Sequence, residues 1–185
     1  MDLPDVKTGA VRRRVRKFPG LEIMPTHPEI TQLLENLSRG FDRRSWHGPN
    51  LMGAIRGLKP EEAAWRPQPG RHNAWEYIVH AAYWKYRELR VIDSQAAGSF
   101  SLPGSNFFER PTESTRAALK DDIELLREWH RRLLDAVAAV DPALLDEKRG
   151  EFTIRAHILG IAAHDVYHAG QIRLLRRMWG DRAAG

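Results

Sequence analysis

The chain has 185 residues, 42% hydrophobic and 29% charged, with a formal net charge of +5 and no cysteine. This composition excludes a globally disordered chain. The missing thiols exclude disulfide scaffolds, thiolate zinc sites, iron–sulfur clusters and a cysteine nucleophile, so any metal site must draw on His, Asp and Glu.

The positive charge is local. Lys7, Arg12, Arg13, Arg14, Arg16 and Lys17 face only Asp2 and Asp5 over residues 1–20, which places four of the five net charges there. Residues 1–25 lack apolar periodicity and are broken by Pro4, Pro19, Gly20 and Pro25. They read as a basic, flexible N-terminal extension, since charge runs are usually solvated. No apolar stretch follows the arginines, as a secretory or twin-arginine leader requires. The near-neutral remainder disfavours nucleic acid as a partner. No run approaches the roughly 18 apolar residues of a membrane-crossing helix, so no membrane partner is expected. The absence of cysteine fits a reducing cytoplasm, the expected location.

Residues 26–181 read as one helical domain. The first helix opens at Thr26, with Pro28 early in it and Glu29 completing a capping box; Ile30, Leu33, Leu34, Leu37 and Phe41 recur at helical spacing. Short helical stretches follow at Asn50–Ile55 and Pro60–Trp65, before Pro67, Pro69 and Gly70 break the chain. The second long helix starts at Asn73, paired with Glu76. Its main stripe is Trp75, Ile78, Val79, Ala82, Tyr86 and Leu89, while Tyr77, Tyr83 and Trp84 lie on its other side, which predicts burial on more than one face.

Residues 94–111 are rich in Gly, Ser and Pro, too long for a tight turn, and suit a crossover along a bundle or a lid. The third helix is predicted from about Thr112 to Val140, with the stripe Leu119, Ile123, Leu126, His130, Leu133 and Val137. The fourth is predicted from about Phe152 to Trp179. No alternating strand pattern competes. The expected fold is all-α, a four-helix bundle with one long crossover connection.

The placement of eight histidines carries the chemistry. His157, His164 and His168 fall on one face of the fourth helix, together with Ile161, Leu175 and Trp179, and so point into the bundle. His164 and His168 are an i, i+4 pair, one turn apart, able to reach one ion at about 2.1 Å. A divalent ion offsets the cost of burying polar rings without partners. A structural pair bonded to neighbouring groups is equally compatible with that spacing. Candidates for a third ligand are His80 and His130. Periodicity slightly favours His130, which lies in its apolar stripe, and does not choose His80. His157 is two turns from His164, roughly 10 Å along the axis, too far to share that ion easily.

The segment His164-Asp165-Val166-Tyr167-His168-Ala169-Gly170-Gln171-Ile172 resembles the C-terminal motif of the DinB-like (DinB/YfiT-type) metalloenzymes. Trp65-Arg66-Pro67, followed by Asn73-Ala74-Trp75-Glu76 and His80, resembles the segment that supplies the family's first histidine, and Trp46-His47-Gly48-Pro49 is similar to one branch. The resemblance spans about residues 27–180. It implies a four-helix bundle with a three-histidine divalent site near one end, whose ligands are His80, His164 and His168. It also implies a homodimer and a nickel, zinc or other divalent ion. Characterised branches include thiol-dependent S-transferases and a mycothiol-dependent isomerase, so a low-molecular-weight thiol is a possible second cofactor. His130 and His157 match no ligand position of the family and are expected in the core or lining a pocket.

Three neutral histidines leave a 2+ centre with open positions, which can lower the pKa of water toward about 7 or hold a thiolate. The first outcome is hydrolysis and the second thiol transfer, each on a small-molecule substrate. The competing class is a non-catalytic, metal-stabilised bundle acting as a binding or stress-response module. His164-Asp165-Val166-Tyr167-His168 resembles the metalloprotease H-E-x-x-H with Asp for Glu, but Asp is one methylene shorter and the third ligand would come from another element. Asp165 is expected instead to bond a ligand's second ring nitrogen or a neighbouring helix. Tyr167 and Gln171 are candidates for substrate contact, Gln171 lying one turn after His168.

Overall fold

In the computed structural model the described residues are 27–93, 95 and 98–182; the basic extension and the predicted cap Thr26 lie outside them. Helix α1 (Pro28–Phe41) is capped by His27, whose Nδ1 accepts from the Glu29 N–H at 3.4 Å, with Pro28 in the first turn. Two short helices follow, α2 (Leu51–Ile55) and α3 (Pro60–Ala64). Helix α4 (Ala74–Ile92) opens with the predicted reciprocal cap: Asn73 accepts from the Glu76 N–H, and Glu76 accepts from the Asn73 N–H.

Helix α5 is Arg116–Ala138, shorter than predicted, because Thr115 and not Thr112 supplies the capping oxygen, to the Ala118 N–H. A 3-10 turn (Pro142–Leu144) leads into a two-residue antiparallel ladder between β1 (Lys148–Arg149) and β2 (Phe152–Thr153), which turns at Gly150 with φ +71°. So short a ladder has no alternation to show in the sequence. Phe152 belongs to it, and α6 (Ile154–Asp181) begins two residues later than predicted, capped by Thr153.

The four long helices form a ring in which α4 touches α5 and α6, and α1 touches the same two. Their directions follow from paired residues. Trp75 Nε1 donates to Asp122 at 2.7 Å and Tyr86 meets Trp129 at 5.0 Å between ring centres, so α4 and α5 are parallel. His80 meets His164, and Glu88 meets His157 at 2.8 Å, so α4 and α6 are antiparallel. Parallel neighbours need a connection that returns the full length of the helix. Phe100 packs on Tyr86 and Trp129, Asn106 reaches His80, and the Arg110 carbonyl accepts from Asn73 Nδ2 at 2.7 Å. Residues 98–111 are therefore the crossover, laid along α4 from Tyr86 back to Asn73.

The core contains the predicted stripes, including Leu37, Ile78, Leu126 and Leu133, and also Ile158 and Ile172 of α6, which those stripes did not name. Helix α4 is buried on most sides by α5, α6 and the crossover, as its aromatic content predicts. Among the described residues, no helix is long and apolar enough to cross a membrane.

Candidate metal centre

Two helices and the crossover build the site. His80 comes from α4, and His164 and His168 come from consecutive turns of α6. The Nε2 atom of His164 lies 3.2 Å from His80 Nε2 and 3.0 Å from His168 Nε2. One ring nitrogen from each of the three lies within 4.8 Å of the others. Tetrahedral binding at about 2.1 Å separates donor atoms by about 3.4 Å, so the cluster has the size of one first-row divalent ion.

The outer ring nitrogens fix which atoms carry protons. His80 Nδ1 is 2.9 Å from the Asn106 carbonyl, which only accepts, so Nδ1–H donates and Nε2 is left with its lone pair. His168 Nδ1 is 2.5 Å from Gln171 Oε1, with the same consequence. Two lone pairs thus face His164 Nε2, which has at most one proton to offer. A cation satisfies all three nitrogens at once, and outer N–H groups held by acceptors are the usual support of metal-bound imidazoles. His164 Nδ1 is buried and has no partner among the described residues.

Burial makes the rings suitable ligands. It pushes His80 down to about 4 and, with the neighbouring imidazoles adding to it, His164 down to about 3; His168 is lowered as well. All three are neutral near pH 7, the form that binds metal.

The cluster opens on a cavity of about 490 Å³. Phe107 stacks on His80 at 4.0 Å between ring centres and on His72 at 3.6 Å. Trp84 lines the cavity and donates from Nε1 to Asn106 Oδ1 at 3.1 Å. Asn106 thus bonds two cavity residues at once, and it does so at φ +64°, a conformation that Asn tolerates better than most residues. The sequence signal for it was an Asn-aromatic pair inside a Gly/Ser stretch, and neither Asn106 nor Phe107 was predicted as a site residue.

Tyr167 and Gln171 line the same cavity. Asp165 does not. Its carboxylate is wholly buried and bonded to Lys85 of α4 at 2.7 and 2.6 Å, so it bonds the neighbouring helix and not a ligand's ring nitrogen. His130, the ligand that periodicity slightly favoured, is also elsewhere. Its helix sits diagonally across the bundle from α6, and its ring stacks on Phe41 at 3.6 Å with neither nitrogen partnered among the described residues. His157 joins Glu88 to the Arg149 carbonyl, at 2.8 and 3.0 Å.

The family model described as the DinB superfamily matches residues 43–172 of the chain, a span that contains all three clustered histidines. No curated protein and no solved structure matches it.

Proposed function

The chain belongs to the DinB superfamily, and from that premise we propose that it is a divalent-metal-dependent enzyme acting on a small molecule, as a thiol S-transferase or a hydrolase. The observation that carries the reading is the convergence of three neutral imidazole nitrogens beside an open cavity. Structural metal sites are closed by four protein ligands, whereas catalytic ones keep a position free. Here three ligands and a cavity of about 490 Å³ fit the second pattern.

His80, His164 and His168 would hold the ion, nickel, zinc or another divalent metal. A divalent cation there supplies Lewis acidity, which makes water or a thiol a usable nucleophile near neutral pH. The protein supplies the rest. Asn106 and Gln171 fix the rings of His80 and His168. Phe107 covers one face of His80 and keeps bulk water from it. The Tyr77 and Tyr167 hydroxyls, which have no protein partner among the described residues, are available to hydrogen-bond a bound substrate. Asp165, committed to Lys85, holds α6 to α4 and is a positioning residue.

The test is reconstitution of metal-free protein with zinc or nickel, followed by conjugation assays with glutathione, bacillithiol and mycothiol beside ester and amide hydrolysis. Turnover should require metal and vanish in the His164→Ala/His168→Ala double variant; persistence there removes the metal from the mechanism. Bound metal without turnover or thiol affinity would favour the non-catalytic binding module. The expected homodimer belongs to the same reading. Exposed Trp46, Leu159 and Val166 support it, and sedimentation of the purified chain tests it.

A further inference from the structure

A second cavity, of about 510 Å³, adjoins the one over the histidines and shares His72, Tyr77 and Gln171 with it. Its other walls include Leu174, Leu175 and Met178 of α6, with Arg71 among the lining residues. The two cavities form one groove with a cation-binding end and an apolar extension.

Three features mark the extension as a built subsite. Among the described residues, the Arg71 guanidinium has no carboxylate partner. The loop that carries it is held firmly: the Arg71 carbonyl accepts from Arg66 Nη1 at 2.6 Å, and Arg66 grips Glu76 at 2.8 and 2.5 Å. Glu76 is buried at the start of α4, one turn before His80, and also bonds His72 at 2.9 Å. Burial pushes the Glu76 carboxyl up, but the bonds from Arg66 and His72 outweigh it and keep it ionised. Finally, Gln171 stands where the cavities meet. Its Oε1 is taken by His168, which leaves its amide N–H groups without a protein partner among the described residues and free for a ligand.

We propose that this extension receives the tail of the small molecule whose donor atom reaches the histidine cluster, and that it selects a molecule with an apolar middle and a terminal carboxylate paired to Arg71. This rests on the metal-dependent reading of the site. Apolar walls disfavour a strongly hydrated middle, and a guanidinium presents a planar fork that matches a carboxylate. A cation at one end and an arginine at the other favour a ligand that is anionic at both.

The test uses the full chain loaded with cobalt(II), whose charge-transfer absorption reports a coordinating thiolate. Probes are 8-mercaptooctanoate against 8-mercaptooctanol, and mercaptoacetate against mercaptoethanol, on the wild type and Arg71→Gln. The wild type should bind the long carboxylate about three- to fivefold tighter than the long alcohol, the upper part of the range of an exposed ion pair. In Arg71→Gln that preference should fall below about twofold, with the alcohol's affinity and the cobalt spectrum unchanged. Any preference within the short pair should not respond to Arg71. Equal binding of the long pair by the wild type, or a preference that survives Arg71→Gln, overturns the tail subsite while leaving the metal site standing. If cobalt does not bind at all, the metal reading fails instead. Calorimetry of octanoate against octanol on the metal-free chain then decides the subsite: an Arg71-dependent preference keeps it, and none removes it.

Discussion

Lys85 Nζ sits 2.7 and 2.6 Å from the two carboxylate oxygens of Asp165, and neither side chain has any solvent exposure. The pair joins α4 to α6, the two helices that carry all three clustered histidines, and Asp165 is the immediate neighbour of His164. Burial pushes the Lys85 ammonium down and the Asp165 carboxyl up, and their mutual contact opposes both shifts. Such a pair adds little net stability over an apolar core but is costly to break from one side.

Lys85→Met alone is therefore expected to destabilise the protein by about 3–5 kcal/mol, because it leaves a buried carboxylate unpaired. The Lys85→Met/Asp165→Leu double variant should recover most of that loss, while binding metal more weakly than the wild type, since α4 loses its fixed register on α6. Urea denaturation and a competitive chelator titration read the two effects. A double variant as unstable as the single one would contradict this reading.

His130 is expected to steepen the acid side of the stability curve. Burial, with Lys85 adding a smaller repulsion, pushes it down to about 2, against an ordinary value of 6.5. A base depressed on folding is protonated in the unfolded chain first. Its contribution is therefore complete above about pH 6.5 and is lost progressively as the pH falls from there toward 2, at about 1.4 kcal/mol per pH unit. His130→Phe, which keeps the stack on Phe41, should flatten that slope by about one proton equivalent. It should also stabilise the protein at pH 7 by about 1 kcal/mol, because a buried N–H no longer lacks an acceptor. Denaturation of metal-free protein between pH 4 and 7 checks both.

Helices α1 and α6 pack backbone against backbone at Gly40. A Cβ there would lie 2.8 Å from the backbone oxygen of Ala162, and a helix backbone cannot swing aside as a flexible side chain can. Gly40→Ala should destabilise by about 1–3 kcal/mol through overpacking, even though alanine is the better helix former by about 1 kcal/mol. Thermal unfolding should show a fall of several degrees.

Asn106 is expected to tolerate Gly better than Ala. Both substitutions remove the bond to Trp84, but only Gly keeps the φ of +64° without strain and so keeps the carbonyl on His80 Nδ1. Asn106→Ala should weaken metal binding by about tenfold or more, the usual result of disturbing a ligand's hydrogen-bond partner. Asn106→Gly should weaken it by less. Chelator competition on the two variants measures the difference.

Much of this was legible along the chain. The stripes of α1 and α5, the Asn73–Glu76 cap and the His164/His168 spacing all depend on neighbours within one or two helical turns. His80 was not singled out by periodicity because α4 carries two stripes. Trp75 and Tyr86 face α5, while Tyr77, His80, Trp84 and Glu88, spaced by three and four residues, face the cavity and α6. A hydrophobic count finds the first stripe and misses the second. The family resemblance, not spacing, implied His80. Lys85 reads as a surface residue until the carboxylate eighty positions away is brought against it. The support from Asn106 was invisible for another reason: the atom that bonds His80 is a backbone carbonyl, which any residue carries.

The most direct measurement of the central claim is X-ray absorption on the protein loaded with one equivalent of zinc or nickel, compared with the His80→Ala variant. The account predicts one tightly held ion per chain, with imidazole nitrogens at about 2.0–2.1 Å and one fewer imidazole in the variant. An ion whose surroundings are unchanged when His80 is removed, or a wild type that retains no ion after dialysis, would contradict it.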